Sequence, residues 1–268
     1  MKNLNELKNK IEMLNNVAKL SKATEMIAMT RILKIKKIVK NFLFYKDKIR
    51  YILQKNNYIN CCKYTPNKIH RKLVYIILPD TGFCGNIVIN MLKKIDLYLN
   101  EQDYVILFGK KCSKEIKMKY NVISSLKFGK TLPKYNCVYP MVKVAKMFFF
   151  MKKISKVTLI YTKFSNITIQ KAYIEEILPI KNNKTNKYFL QQKETLDDLI
   201  QYYLEIEMYN SLINAYISEQ AARAISMYNT KTHALEVSKK LYKIYNKSRQ
   251  EKITDEILDF TNWKLNNN

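Results

Sequence analysis

Two of the chain's four glycines, Gly82 and Gly85, sit in one short stretch, "YIILPDTGFCGNIVINM" from Tyr75 to Met91. An apolar run leads in, and an apolar, helix-compatible run leads out. A strand, a glycine turn and a helix can together cradle a phosphate at the helix N-terminus. The spacing here does not fit that chemistry. A phosphate loop needs G-x-x-x-x-G-K-[ST]; a dinucleotide loop needs G-x-G-x-x-G and an acidic residue closing the next strand. Gly82 and Gly85 stand as G-x-x-G followed by Asn86. The stretch reads as a tight strand-to-helix turn in which glycine supplies a positive φ. Cys84 lies inside it and is a conceivable nucleophile, which would need a base beside it. The chain has two histidines, His70 and His233, and neither is near Cys84 in sequence.

The remaining reactive residues are equally poor in partners. Glu175–Glu176 and Asp197–Asp198 are adjacent pairs, so in a strand or helix their side chains diverge, which is poor geometry for shared acid–base work. They read as solvated charges. Five cysteines, with Cys61 and Cys62 adjacent and the others scattered, show no metal spacing and read as reduced thiols. No catalytic residue, metal site or cofactor is expected. "RILKIKKIVK" (31–40) sets Arg31, Lys34 and Lys36/Lys37 toward one basic helix face. That face is either simply solvated or a docking stripe for acidic loops of a partner.

What must position these residues is read from Gly and Pro. None precedes Pro66 and none follows Pro179. These two residues punctuate helices most strongly, so the chain divides into helix, mixed domain and helix. We expect a shaft helix in 1–58, an α/β domain in 59–190 and a second shaft helix in 191–268. In the first, steps of three and four run from Leu4, Leu7, Ile11, Leu14 and Ala18 through to Leu53, with Ser21, Glu25 and Lys46 the polar members. That is a coiled-coil seam. A helix over residues 3–56 would be about 80 Å long, more than one domain buries alone. The C-terminal stripe, Ile206, Ile213, Ile217, Ala224, Met227, Ala234, Leu241 and Tyr245, is interrupted by Asn210, Gln220 and Ser238. Between the two, strands are expected at 72–79, 104–109, 156–164 and 170–180, and helices at 86–100, 110–120 and 141–154. Such alternation implies a parallel sheet covered by helices.

Bulk properties bound the rest. A hydrophobic content of 47% fits a folded protein. The longest greasy patch, Met147–Phe150, is far short of the roughly 18 apolar residues that span a bilayer. The N-terminus lacks a signal peptide's apolar core and a transit peptide's Arg- and Ser-rich pattern. A net charge of +26 would suit nucleic acid or an anionic surface. An A/T-rich codon bias toward Lys, Asn, Ile and Tyr explains it equally well. Residues 1–55 carry 14 Lys/Arg against 4 Asp/Glu, but residues 190–268 carry 10 against 11. A basic nucleic-acid-binding coiled coil, the alternative function, would concentrate charge on both long helices, and the second is neutral.

The ends resemble one family, the gamma subunit of the F-type ATP synthase. "KLSKATEMIAMTRI" (19–32) is similar to its "KITKAMxMVAASKL". "SEQAARAISMYNTKT" (218–232) and "YNKSRQEKITDE" (245–256) are similar to its "SEQAARMxAMxxAT" and "YNKARQxxITxE". "PDTGFCGNIVIN" resembles "SDRGLCGxxN", and "LIYTKFSNITIQKAYIEEILPI" resembles the family's following strand pair. The resemblance covers essentially the whole chain, with 101–155 weakest. Thr24 stands where the family usually has Met, and Phe260, Trp263 and Leu265 stand where it ends in small apolar residues.

The resemblance implies a noncatalytic rotor. Its two long helices would form an antiparallel coiled coil, with a Rossmann-like parallel-sheet domain between them in sequence. The shaft would turn inside a ring of alpha and beta subunits. The α/β domain would rest against the membrane c-ring and the epsilon subunit, at the cytoplasmic face of a bacterial inner membrane. No nucleotide, cofactor, nucleic acid or membrane span would belong to this chain. By motif, Glu25, Met26, Arg31, Glu219, Arg223, Arg249, Gln250 and Thr254 would be the contacts to the ring, with Gly82 and Gly85 shaping a turn.

Overall fold

A computed structural model describes residues 4–55, 71–129, 131–179 and 193–266. Helix α1 runs Leu4–Lys55 and helix α5 runs Lys193–Asn266. Between them lie β1 (Lys72–Ile77), α2 (Ile87–Tyr98), β2 (Tyr104–Phe108), α3 (Ser113–Lys119), β3 (Asn121–Leu126), α4 (Val138–Phe150), β4 (Lys156–Phe164) and β5 (Gln170–Leu178). The expected domain junctions near 58 and 190, and Cys61, Cys62 and His70, lie outside the described residues. Among the described residues no helix is long and apolar enough to cross a membrane.

The chain packs as two units, Ala28–Arg223 and Met1–Ile27 with Ala224–Asn268, so the division falls inside both long helices. In the second unit the helices run antiparallel. Glu25 pairs with Lys231 at 2.7 Å, and Asn15 accepts from the Ser238 hydroxyl at 2.9 Å, so numbers fall on one helix as they rise on the other. Leu7, Ala18 and Ser21 are buried, as are Met227, Ala234 and Ser238. Ala18, Ser21, Ala234 and Ser238 are small, which lets the backbones approach there.

In the larger unit the sheet order is β3-β2-β1-β4-β5. Every pairing is parallel except β4 with β5, which is antiparallel. The connection from Phe164 to Gln170 is too short for the crossover a parallel strand requires, so β5 turns back as a hairpin. Side chains alternate across β1. Leu73, Tyr75 and Ile77 face α4 and α5, while Val74, Ile76 and Leu78 face α2 and α3. Burial on both faces explains why "LVYII" (73–77) reads as an unbroken apolar run. Strand β3 was not expected. Its sequence, NVISSL, is mostly exposed at the sheet edge and lacks the apolar signal of an inner strand.

Helix α5 supplies much of this core. From Tyr203 to Ala222 every residue but Asn214 is buried. A helix buried all round is ordinarily apolar all round. This one carries Glu205, Glu207, Asn210, Ser218, Glu219 and Gln220 into the interior, and each buried polar group needs a partner.

Candidate functional site

Two clusters of buried polar side chains tie α5 to the rest of the larger unit. The first centres on Glu207, which has no solvent exposure. The Lys46 ammonium on α1 lies 2.7 Å from its Oε2, and the Arg50 Nε lies 3.1 Å from its Oε1. Arg50 Nη2 reaches Glu175 Oε1 on β5 at 3.1 Å, and the Tyr161 hydroxyl on β4 donates to Glu175 Oε2 at 2.8 Å. Burial pushes the Glu207 carboxyl above its usual range, and Lys46 opposes that shift. The same burial, with the Glu207 charge beside it, raises the Tyr203 hydroxyl to about 12. Glu175 is therefore not the solvated charge expected from sequence; it is the β-sheet end of an ion-pair network. Glu176, its neighbour, diverges and pairs with Lys156 at 3.0 Å.

The second cluster joins α5 to the glycine turn after β1. Arg223 donates to the Glu219 carboxylate and to the Thr81 hydroxyl, and it lies 3.3 Å from Cys84 Sγ. Thr81 in turn donates to Glu219 Oε1 at 3.4 Å. Burial raises the Glu219 carboxyl, with Arg223 pulling it back. Immediately before Glu219, the Ser218 hydroxyl donates to the Thr162 carbonyl of β4 at 3.0 Å. In an open α/β sheet, ligands bind at the carboxyl ends of the strands where the order reverses. Here that point lies between β1 and β4. Side chains of α5 occupy it.

The turn itself is held from below. Asp80 accepts from the Gly129 N–H at 2.6 Å, and the Lys111 N–H donates to the Pro79 carbonyl at 3.2 Å. Gly85 adopts φ +55, as does Phe83 at φ 62, but Gly82 is not in the left-handed region. The glycine whose backbone is most constrained is Gly109, which sequence reading passed over. At φ +108, a Cβ there would meet the Leu78 carbonyl oxygen at 2.1 Å. Cys84 is buried, and burial raises its thiol to about 11 despite Arg223 nearby. A thiol held protonated is a poor nucleophile. His233 is exposed on α5. Among the described residues no group of His, Cys, Asp and Glu could hold a metal.

The expected ring contacts divide by exposure. Met26, Arg249, Gln250 and Thr254 are exposed, and the Thr254 hydroxyl bonds back to the Gln250 carbonyl at 2.9 Å. Glu25 is half-buried against Lys231, and Arg31 is half-buried against the Tyr216 hydroxyl. Glu219 and Arg223 are engaged inside the chain by the loop after β1, a partner no local pattern reveals. Lys34 and Lys36 of the basic stripe are exposed.

Comparison with known proteins bears on what such an arrangement does. The family described as ATP synthase matches residues 3–262. The ATP synthase gamma chain of Dehalococcoides mccartyi is 29% identical over 194 residues, covering 68% of each chain. That of Legionella pneumophila is 24% identical over 209 residues, covering 72% of this chain and 73% of the relative. Among solved structures, a chain of the Euglena gracilis mitochondrial ATP synthase in rotational state 3 superposes with a TM-score of 0.66 at 16% identity, covering 96% of this chain and 92% of that one. A chain of the Tetrahymena thermophila mitochondrial ATP synthase central stalk and c-ring gives 0.60 at 19% identity, covering 78% and 98%.

Proposed function

The chain belongs to the ATP synthase family, and from that premise we propose that it is the noncatalytic central-stalk subunit of an F-type ATP synthase. It couples rotation of the membrane ion-translocating ring to ATP synthesis or hydrolysis on the beta subunits. The observation that carries this reading is the end of α5. From residue 239 to residue 263 no side chain is buried, yet Ile253, Ile257, Leu258, Phe260 and Trp263 are all large, apolar and exposed. Met13, Leu20, Met26 and Ile27 are similarly bare on α1. Apolar surface on that scale marks an interaction site. A sleeve of alpha and beta subunits closing round the helices supplies the cover.

The mechanism follows from angle-dependent contact. A shaft enclosed by three similar partners cannot meet all three alike. Whichever beta subunit it favours at a given angle has its site affinities shifted by the difference in contact free energy. The exposed polar residues Arg249, Gln250 and Thr254 are the contacts we assign to that role, with Met26, Glu25 and Arg31 on α1. Glu219 and Arg223 serve it from inside, by fixing α5. On this reading the α/β domain sits against the c-ring and the epsilon subunit, and the subunit is peripheral, at the cytoplasmic face of a bacterial inner membrane. The near-neutral α5 disfavours the nucleic-acid-binding alternative.

Purification of the tagged chain from native membranes tests the assignment. Alpha, beta, epsilon and c-ring subunits are expected to co-purify; their absence refutes it. The double change Arg249→Ala with Gln250→Ala tests the contacts. Charge-assisted bonds contribute about 1.5–3 kcal/mol each. Turnover or assembly of the complex should fall while the helicity of the subunit is unchanged. A complex with normal yield and normal turnover would remove these two residues from the coupling surface.

A further inference from the structure

We propose that two buried polar pins fix the rotational register of α5 against the α/β domain, so that torque passes through oriented charges and not through apolar contact alone. This rests on the reading of the chain as a rotor. The first pin is Glu207, held by Lys46 at 2.7 Å and Arg50 at 3.1 Å, with Arg50 passing the connection to β5. The second is the Glu219–Arg223 pair, held by the Thr81 hydroxyl beyond β1.

Their placement on the helix is the heart of the inference. Glu207 and Glu219 are twelve residues apart, which is about 18 Å along the axis and about 120° around it. Pins at different heights and different azimuths oppose both twisting and sliding. Apolar burial does neither well, because it is non-directional and roughly proportional to area. If α5 turned by one residue, about 100°, apolar neighbours such as Leu212 and Ile213, both fully buried, would exchange with little change in buried area. The polar contacts have no such substitute. At Glu207 the two cations sit at ion-pair distance although neither carboxylate oxygen is hydrogen-bonded among the described residues, and a turn would leave that buried charge unpaired. At Arg223 the hydrogen bonds to Thr81 and Glu219 fail within a few tenths of an ångström or a few tens of degrees. Stability alone does not call for them. Buried ion pairs are commonly no better than the apolar residues that could replace them, and specification of register is their best-attested use.

The test uses the whole complex in sealed vesicles, with near-isosteric changes at the pins: Thr81→Val, Glu207→Gln and the two together. Thr158→Val is the control. It removes the 3.1 Å contact between the Thr158 and Tyr98 hydroxyls, which lies within the α/β domain and does not reach α5. ATP hydrolysis is measured with the ion gradient collapsed. Ions translocated per ATP are then measured against a rising opposing gradient. The pins predict hydrolysis without load close to that of the parent. Translocation per ATP falls about twofold or more under load in the double variant, less in each single one, and not in the control. A ratio equal to the parent's at every load overturns the proposal, and so does an equal fall in the Thr158→Val complex. Should the double variant fail to assemble, the Thr81→Val complex decides by the same criterion at the highest load. Absence of ATP-driven translocation in the parent complex itself would be a failure of the rotor reading, not of the pins.

Discussion

Replacing Lys46 by Met removes the ammonium 2.7 Å from Glu207 Oε2 and leaves a fully buried carboxylate facing Arg50 alone. Breaking a buried ion pair from one side costs about 3–5 kcal/mol, because the remaining charge stays desolvated. With a urea slope of about 2 kcal/mol per molar, the unfolding midpoint should drop by about 1.5–2.5 M at neutral pH. The effect carries a pH signature. Burial already raises Glu207 above its ordinary value of 4.5 in the folded chain. The folded state therefore keeps this proton at pH values where the unfolded chain has lost it. The group's contribution is fully present below pH 4.5 and is lost as pH rises through the folded value. Without Lys46 the folded value moves higher still, so the deficit relative to the parent should widen as pH rises from 4.5 toward neutrality. The double change Lys46→Met with Glu207→Met should recover most of the loss, since apolar replacement of a buried pair is often neutral or stabilising. A midpoint shift below about 0.5 M, or a deficit flat across that pH range, would refute the argument that Glu207 depends on Lys46.

Four further substitutions have definite expected outcomes. Gly109→Ala sets a Cβ 2.1 Å from the Leu78 carbonyl oxygen, so soluble yield or the thermal midpoint should collapse; Gly82→Ala, whose Cβ would meet only the Lys111 side chain at 3.7 Å, should change the midpoint little. Gly85→Ala meets no clash but must hold φ +55, so its cost should be about 1 kcal/mol by denaturant titration. Leu7→Asp buries an unpaired charge where Leu7 is 3% exposed, and circular dichroism should show loss of helix from the paired ends while the α/β domain keeps its own transition.

The long helices were legible because absence is a strong signal: without Gly or Pro, nothing interrupts them. The α1 seam was legible position by position, and each of its described side chains is buried or half-buried. Lys46 is the instructive exception. It stands in the seam as a polar interruption, yet it is buried because Glu207 awaits it. The same applies to Asn210, Gln220 and Ser238, which break the stripe of α5 but are themselves buried. A helix surrounded on all sides leaves no polar face from which periodicity can be read. The clasp between Arg223 and Thr81 joins residues 142 apart in sequence, and nothing local announces it. β3 was missed for the opposite reason. An edge strand with two serines buries too little to require an apolar pattern.

The burial of α5 between residues 203 and 222 has a bearing on how the chain is made. The ribosome completes β1 through β5 before it begins the helix that covers one face of their sheet. At about 5–20 residues per second, the interval from Leu178 to Ile217 lasts about 2–8 s. During it Tyr75, Leu159, Tyr161 and their neighbours have α4 over them but not Leu204, Met208 or Leu212. The nascent domain is then a half-closed sheet with an apolar face open to whatever is near. Any dependence on a chaperone should grow when codons between 179 and 217 are translated slowly.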